Sequence, residues 1–178
     1  MKHFETETAR RDIFAGKVIE VKLHEITLEN GQAAQREVVH HHGGACVAAL
    51  DEANNLLLVR QFRFAAGREL LELPAGKLEQ GEDPFAAALR ELEEETGYTT
   101  QALAPLGKLL PTPAYCTEVI HIYCTTQLVP GRQQLDRDEF LSVLRVPFAE
   151  AVRMVADGEI IDAKTQVGIL LLQQRMGQ

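Results

Sequence analysis

Alternation of apolar and polar residues opens this chain. Across residues 17–28, Ile19, Val21 and Leu23 share one face of a predicted strand. The phase slips by one at Ile26 and Leu28, so a bulge or bend is expected near His24-Glu25. Asn30-Gly31 is a hairpin signal, and residues 35–41 can return beside the first strand. A hairpin within residues 1–43 has too few apolar positions to close its own core. It must lean on the rest of the chain or on another subunit.

Gly43-Gly44 marks a switch to a more apolar chain, which divides it into an N-terminal β subdomain (1–43) and a main domain (44–178). Residues 45–50 and 56–63 read as buried strands joined by the polar turn 51–55, and 69–73 as a short strand running into Pro74. Residues 119–127 and 140–146 are also strand-like. Pro147 starts a helix that Gly158 ends, and 162–174 form a last apolar helix. Strands and helices are mixed without regular alternation, which predicts an α+β (mixed) sandwich, not a doubly wound fold.

Composition narrows the functional classes. A chain of 178 residues suits one main domain with an appendage, and at about 150 residues a domain hides roughly 70% of its unfolded surface. The net charge of −8 argues against a nucleic-acid partner, so an anionic substrate would need metal ions or local arginines. Cys46, Cys116 and Cys124 lack the spacing of a disulfide framework or zinc ribbon and fit a reducing cytosol. The opening MKHFETETARRD has no apolar core and no run reaches transmembrane length, so a cytoplasmic location without membrane contact is expected.

The chemistry concentrates in residues 76–98, GKLEQGEDPFAAALRELEEETGY. Asp83 is a good N-cap, Pro84 suits the first helical position, and Phe85, Ala88, Leu89 and Leu92 form an inward stripe. Glu91, Glu94 and Glu95 fall on a neighbouring face within one turn. Like charges at that spacing repel, and hard divalent cations are commonly held by a few such carboxylates plus substrate phosphates. A solvated acidic face is the ordinary alternative for a Glu-rich helix.

The spacing decides between them. Gly76, five residues, Glu82, seven residues, Arg90-Glu91, then Glu94-Glu95 and Gly97 resembles the signature of the Nudix hydrolases, with Tyr98 where that pattern has an aliphatic residue. Seven such identities at roughly 6% usage each coincide by chance on the order of 10⁻⁹ times per start. The resemblance implies an α/β/α sandwich and hydrolysis of a nucleoside diphosphate linked to another group. By matching position it implies Glu91, Glu94, Glu95 and the Ala75 carbonyl as metal ligands, and Glu82 and Arg90 as a supporting pair. The implied cofactor is Mg²⁺, or Mn²⁺ in its place.

Three further segments are similar to the ADP-ribose pyrophosphatases of that family. They are Arg60-Gln61-Phe62-Arg63, the run LPTPAYCTE over residues 110–118, with Pro113 sixteen residues after Gly97, and Asp162-Ala163-Lys164-Thr165. This resemblance implies ADP-ribose as substrate, cleaved to AMP and ribose 5-phosphate, with Arg36 and Arg63 on the diphosphate, Glu118 on the terminal ribose and Pro113 in the substrate loop. It implies a homodimer that exchanges its N-terminal sheet to build the substrate pocket, and a loop carboxylate as general base. Glu139 fits that role best, ahead of Asp138 and Asp136. With no tryptophan in the chain, adenine stacking falls to a Phe, with Phe14 and Phe4 as candidates, to a Tyr or to an arginine plane. A GDP-mannose-type hydrolase is the alternative substrate reading, and a non-catalytic nucleotide-binding module the alternative class. His40-His41-His42 cannot all ligate one ion, since adjacent strand residues face opposite ways. Lys164-Thr165 lacks the preceding glycines of a phosphate loop.

Overall fold

Antiparallel pairing begins at the N-terminus of the computed structural model, which describes residues 3–177. Strand β1 (Glu5–Ala15) pairs with β2 (Glu20–Leu28), and β2 with β3 (Ala33–His40) around the Asn30-Gly31 turn. The hairpin is as the pattern predicts. Strand β1 is not predicted, because it is exposed throughout and shows no inward stripe. The expected bulge also lies elsewhere: β2 and β3 pair in unbroken register, whereas β1 shifts between Glu7 and Ala9 and between Asp12 and Phe14. The first shift faces Ile26 and Glu25, so the neighbouring strand absorbs the phase slip that β2 carries. The sheet leans on the main domain through β3, where Val39 N donates to Tyr115 O (2.7 Å) and Thr117 N to Val39 O (2.9 Å).

The main domain continues with β4 (Gly44–Ala49), β5 (Asn55–Arg63), β6 (Arg68–Glu72) and β7 (Ala75–Lys77). Helix α1 (Pro84–Thr96) follows, then β8 (Tyr98–Thr99), β9 (Ala104–Leu109), β10 (Ile120–Thr125), β11 (Val129–Pro130) and β12 (Leu141–Pro147). Helices α2 (Phe148–Ala156) and α3 (Ala163–Met176) close the chain. One sheet runs β7-β4-β10-β9 with β4 and β10 parallel, another runs β12-β5-β6, and β8 pairs with β11. Strand β9 carries Pro105 and Gly107, which conceal its strand pattern in the sequence.

Strand β4 shows why the layers form. All its residues are buried, and their alternation sorts them into two cores. Cys46 and Ala48 pack with Phe148, Ala151, Ile169 and Leu172 of α2 and α3, while Ala45, Val47 and Ala49 pack with Ala87, Ala88 and Leu92 of α1. The result is the expected mixed α+β, α/β/α sandwich with an added antiparallel sheet. On α1 the buried stripe differs by one residue from the predicted one. Phe85 is 40% exposed and sits edge-on to Tyr123, and Ala87 is buried in its stead. Among the described residues no helix is long and apolar enough to cross a membrane.

A histidine pair spans the N-terminal sheet. His24 Nδ1 lies 2.6 Å from Glu7 Oε2, and His24 Nε2 lies 3.1 Å from His40 Nε2. With ring centroids 5.3 Å apart, the two rings meet tip to tip through these nitrogens, not face to face. One shared proton satisfies that contact, whereas protonating both rings sets two N–H donors against each other. Burial, then nearby Lys22, holds the His40 pKa below its ordinary value. His40 therefore contributes stability that is present above the ordinary histidine pKa of about 6.5 and is lost as pH falls below it. We predict that from pH 7.5 to pH 5.5 the urea midpoint of the unaltered protein drops relative to that of His40→Gln, whose amide can still donate to His24; the other titrating groups act alike in both proteins. Parallel pH profiles of the two proteins would sink the assignment.

Candidate active site

Helix α1 is built to hold carboxylates in place. The Asp83 side chain accepts hydrogen bonds from Phe85 N and Ala86 N, Pro84 occupies the first turn, and Gly97 ends the helix at φ 74°, a conformation that favours glycine. Along its exposed face, Arg90 gathers the acidic groups. Its Nε and Nη2 each donate to Glu82 at 3.0 Å, and its Nη1 donates to Glu91 (2.7 Å) and Glu94 (3.0 Å). Glu82 in turn accepts from Glu79 N (2.9 Å), which closes the glycine-rich loop onto the helix.

Glu95 is only 1% exposed. Its Oε2 accepts from Ala75 N at 2.9 Å, and its Oε1 is buried without a hydrogen-bond partner. Burial is the main reason its carboxyl is pushed up to about 8, with the charges of Glu139 and Glu91 adding to it. Burial also raises Glu91, against the pull of Arg90. Above these groups Gly76 leaves a gap, since a Cβ there would overlap the Glu91 carboxylate. Among the described residues, no three His, Cys, Asp or Glu side chains already form an ion cage. Magnesium rarely uses such a cage, relying on one or two carboxylates, waters and substrate phosphates. An orphaned carboxylate oxygen, a clearance kept by glycine and an all-oxygen donor set fit a hard divalent ion.

Several of these residues line a cleft of about 950 Å³, but Glu82 and the buried Glu95 do not. One wall is Ala75, Gly76, Arg90, Glu91 and Glu94; the opposite loop presents Asp136, Asp138 and Glu139. That loop is strapped to α1, as Gln134 N donates to Glu94 O (2.9 Å) and Gln133 Nε2 to Glu95 O (2.7 Å). Of its three acids, Glu139 is the one whose charge acts on both Glu91 and Glu95.

Other predicted residues are distributed unevenly. Arg63 and Glu118 line the cleft; Glu118 lies 3.4 Å from His41 Nδ1. Pro113 does not line it. It sits exposed in the turn where Cys116 N bonds Thr112 O, and Pro111 takes the cleft position. Arg36 also stands apart within one chain, pairing with Glu5 and donating to Gln35 O (2.9 Å). Phe4 and Phe14 are exposed on the N-terminal sheet away from the cleft, where Phe62 and Phe140 are the aromatic rings present. Of the three consecutive histidines, His41 alone reaches the cleft.

Sequence reasoning missed Glu72. This carboxylate, 1% exposed, receives Arg63 Nε (2.6 Å) and Nη2 (2.7 Å) and also bonds Lys164 Nζ. Lys164 further donates to Asp162 (3.0 Å), the α3 N-cap. Burial raises the Glu72 carboxyl, but Arg63 and Lys164 outweigh it and leave it below the ordinary range. The available signal was a glutamate inside Leu70-Leu71-Glu72-Leu73, since a buried carboxylate requires cationic partners.

Comparison with known proteins adds to this geometry. The NUDIX domain family matches residues 40–166. An ADP-ribose pyrophosphatase of Bacillus subtilis is 40% identical, covering 97% of this chain and 95% of its own. A methanol dehydrogenase activator of Bacillus methanolicus is 37% identical over 97% and 95%. A GDP-mannose pyrophosphatase of Yersinia enterocolitica is 35% identical over 85% and 86%. The crystal structure of an ADP compounds hydrolase superposes with a TM-score of 0.84 at 22% identity, covering 97% of this chain and 94% of that one, which shows a shared fold.

The Gly76 clearance is directly testable. Gly76→Ala forces the Glu91 carboxylate aside, a movement that a flexible side chain can make without unfolding. We expect Mn²⁺ affinity by calorimetry to fall at least about tenfold, with the thermal midpoint little changed. Unaltered ion binding would remove Glu91 from the ion site.

Proposed function

This chain belongs to the NUDIX domain family, and from that premise we propose that it hydrolyses ADP-ribose to AMP and ribose 5-phosphate with Mg²⁺, or Mn²⁺ in its place. It is a hydrolase of pyrophosphate bonds. The observation that carries the substrate reading is 40% identity, over nearly the whole of both chains, to a protein named ADP-ribose pyrophosphatase. The complete set Glu82, Arg90, Glu91, Glu94 and Glu95 favours catalysis over a silent nucleotide-binding or regulatory module.

Roles follow from the cleft. Glu91, Glu94, Glu95 and the Ala75 carbonyl would hold the ions, while Glu82 fixes Arg90 and Arg90 bridges Glu91 and Glu94 through Nη1. Bound divalent ions supply charge neutralisation for the diphosphate and a more acidic water. Arg63 meets the diphosphate and Glu118 accepts from the ribose hydroxyls. Glu139 takes the proton of the attacking water as one phosphorus–bridging oxygen bond breaks. Asp138 and Asp136 are the next candidates on the same loop.

The proposed assembly is a homodimer. Residues 1–43 form a subdomain for dimerisation and the substrate pocket, and residues 44–178 the hydrolase domain. Phe4, Ile13 and Phe14 are more than half exposed on or beside β1, and exchange of that sheet would cover them. It would also bring Arg36 of the partner subunit toward the diphosphate. A cytoplasmic location remains the proposal that three free thiols support.

The second substrate reading, GDP-mannose, rests on the Yersinia relative. Incubation with Mg²⁺ and each sugar nucleotide should release AMP from ADP-ribose at the higher kcat/KM; preferred cleavage of GDP-mannose would reverse the choice. Glu95→Gln should lower kcat by at least about a hundredfold, the scale of losing one electrostatic group in a site, while circular dichroism stays unchanged. Light scattering should give twice the chain mass, and a monomeric mass would contradict the exchanged sheet.

A further inference from the structure

Glu72 and Lys164 are charges beside the cleft that the reaction scheme above leaves unused. Arg63 places two of its donors on Glu72, leaving Nη1 without a bonded partner among the described residues. An arginine so tightly matched to one carboxylate has its charge cancelled and would be a poor anion binder. Lys164 changes that balance, because its ammonium also donates to Glu72 Oε2, the oxygen that accepts from Arg63 Nη2. Arg63, Glu72 and Lys164 together carry one net positive charge. Asp162 also lines the cleft, and its Oδ2 accepts from Lys164 Nζ (3.0 Å) as well as from Thr165 N (3.0 Å) and Thr165 Oγ1 (2.6 Å), which brings the four groups to neutrality. The helix N-terminus offsets much of the Asp162 charge.

We infer that Lys164 and Glu72 are positioning residues that hold the Arg63 guanidinium in place with its remaining donors free for the substrate diphosphate. The position suits the role, since Arg63, Glu72 and Lys164 all line the cleft that Glu91, Glu94 and Glu139 also line. The need is plain in a chain of net charge −8 whose cleft is crowded with carboxylates. Rigidity comes from the same place. Thr165 Oγ1 accepts from Leu73 N (2.8 Å), which ties the residue next to Glu72 to the start of α3. Arg63 is thus latched to α3 and not merely to its own hairpin.

This inference rests on the diphosphate-hydrolase reading and is separable from it. Three variants, Lys164→Met, Lys164→Arg and Glu72→Gln, are compared with the unaltered protein for kcat and KM with ADP-ribose at saturating Mg²⁺. Binding of ADP-ribose is measured by calorimetry with metal chelated, and the thermal midpoint of each variant is recorded. The expected result is a KM and a metal-free Kd at least tenfold higher in Lys164→Met, kcat within threefold, and recovery of most of the affinity in Lys164→Arg. Glu72→Gln, which releases the Arg63 fork, should raise KM in the same direction. A Lys164→Met protein that keeps KM and Kd within twofold overturns the inference. So does one that loses kcat and thermal midpoint together while KM stays fixed, which is the mark of a structural role alone. An unaltered protein that cleaves neither ADP-ribose nor GDP-mannose overturns the functional reading instead.

Discussion

Arg90 spreads one guanidinium over Glu82, Glu91 and Glu94, and most of the cleft is arranged around that cation. Glu91 and Glu94 would repel each other across a single turn of helix, and Glu82 adds a third negative charge from the loop. A planar fork with donors on two edges satisfies them at fixed spacing, which a lysine could not do. Glu82 lies in the loop and Glu91 on the helix, so the same fork also joins the two segments that shape the proposed ion site. Glu95 is the exception. It is pinned by Ala75 N instead, and it is the carboxylate with a buried oxygen left over.

Much of this was legible in the sequence because it is local. Asp83, Pro84 and Gly97 bound the helix, and the positions of Glu91, Glu94 and Glu95 follow from the helical repeat. The switch at Gly43-Gly44 and the strands beside it stand out through their apolar runs. What was hidden is what depends on distant partners. Strand β1 has no inward face, so only its ladder with β2 defines it. Phe85 carries a core-like side chain at a core-like position, yet Ala87 and Ala88 bring α1 so close to β4 that the ring is left at the margin. Glu72 and Lys164 lie 92 residues apart, and neither local pattern hints at the other.

The two acidic walls are mechanically linked. Gln133 and Gln134 hang the loop bearing Glu139 from the backbone carbonyls of Glu94 and Glu95, the residues whose side chains line or underlie the opposite wall. A carboxylate on a surface loop is usually free to wander. Here one main-chain bond, from Gln134 N, and one side-chain bond, from Gln133 Nε2, tie the start of that loop to the helix.

The parallel pairing of β4 with β10 has a consequence for how the protein comes into being. It joins residues 44–49 to residues 120–125, and β7, with Ala75 and Gly76, hangs from the other edge of β4. Closing so long a loop is entropically slow compared with forming a helix or a hairpin. During synthesis, α1 and its glutamates leave the ribosome well before the strand that completes their sheet. Until that strand arrives, the carboxylates have neither their cleft nor their full set of neighbours, and an early-bound ion would meet a solvated acidic helix and little else.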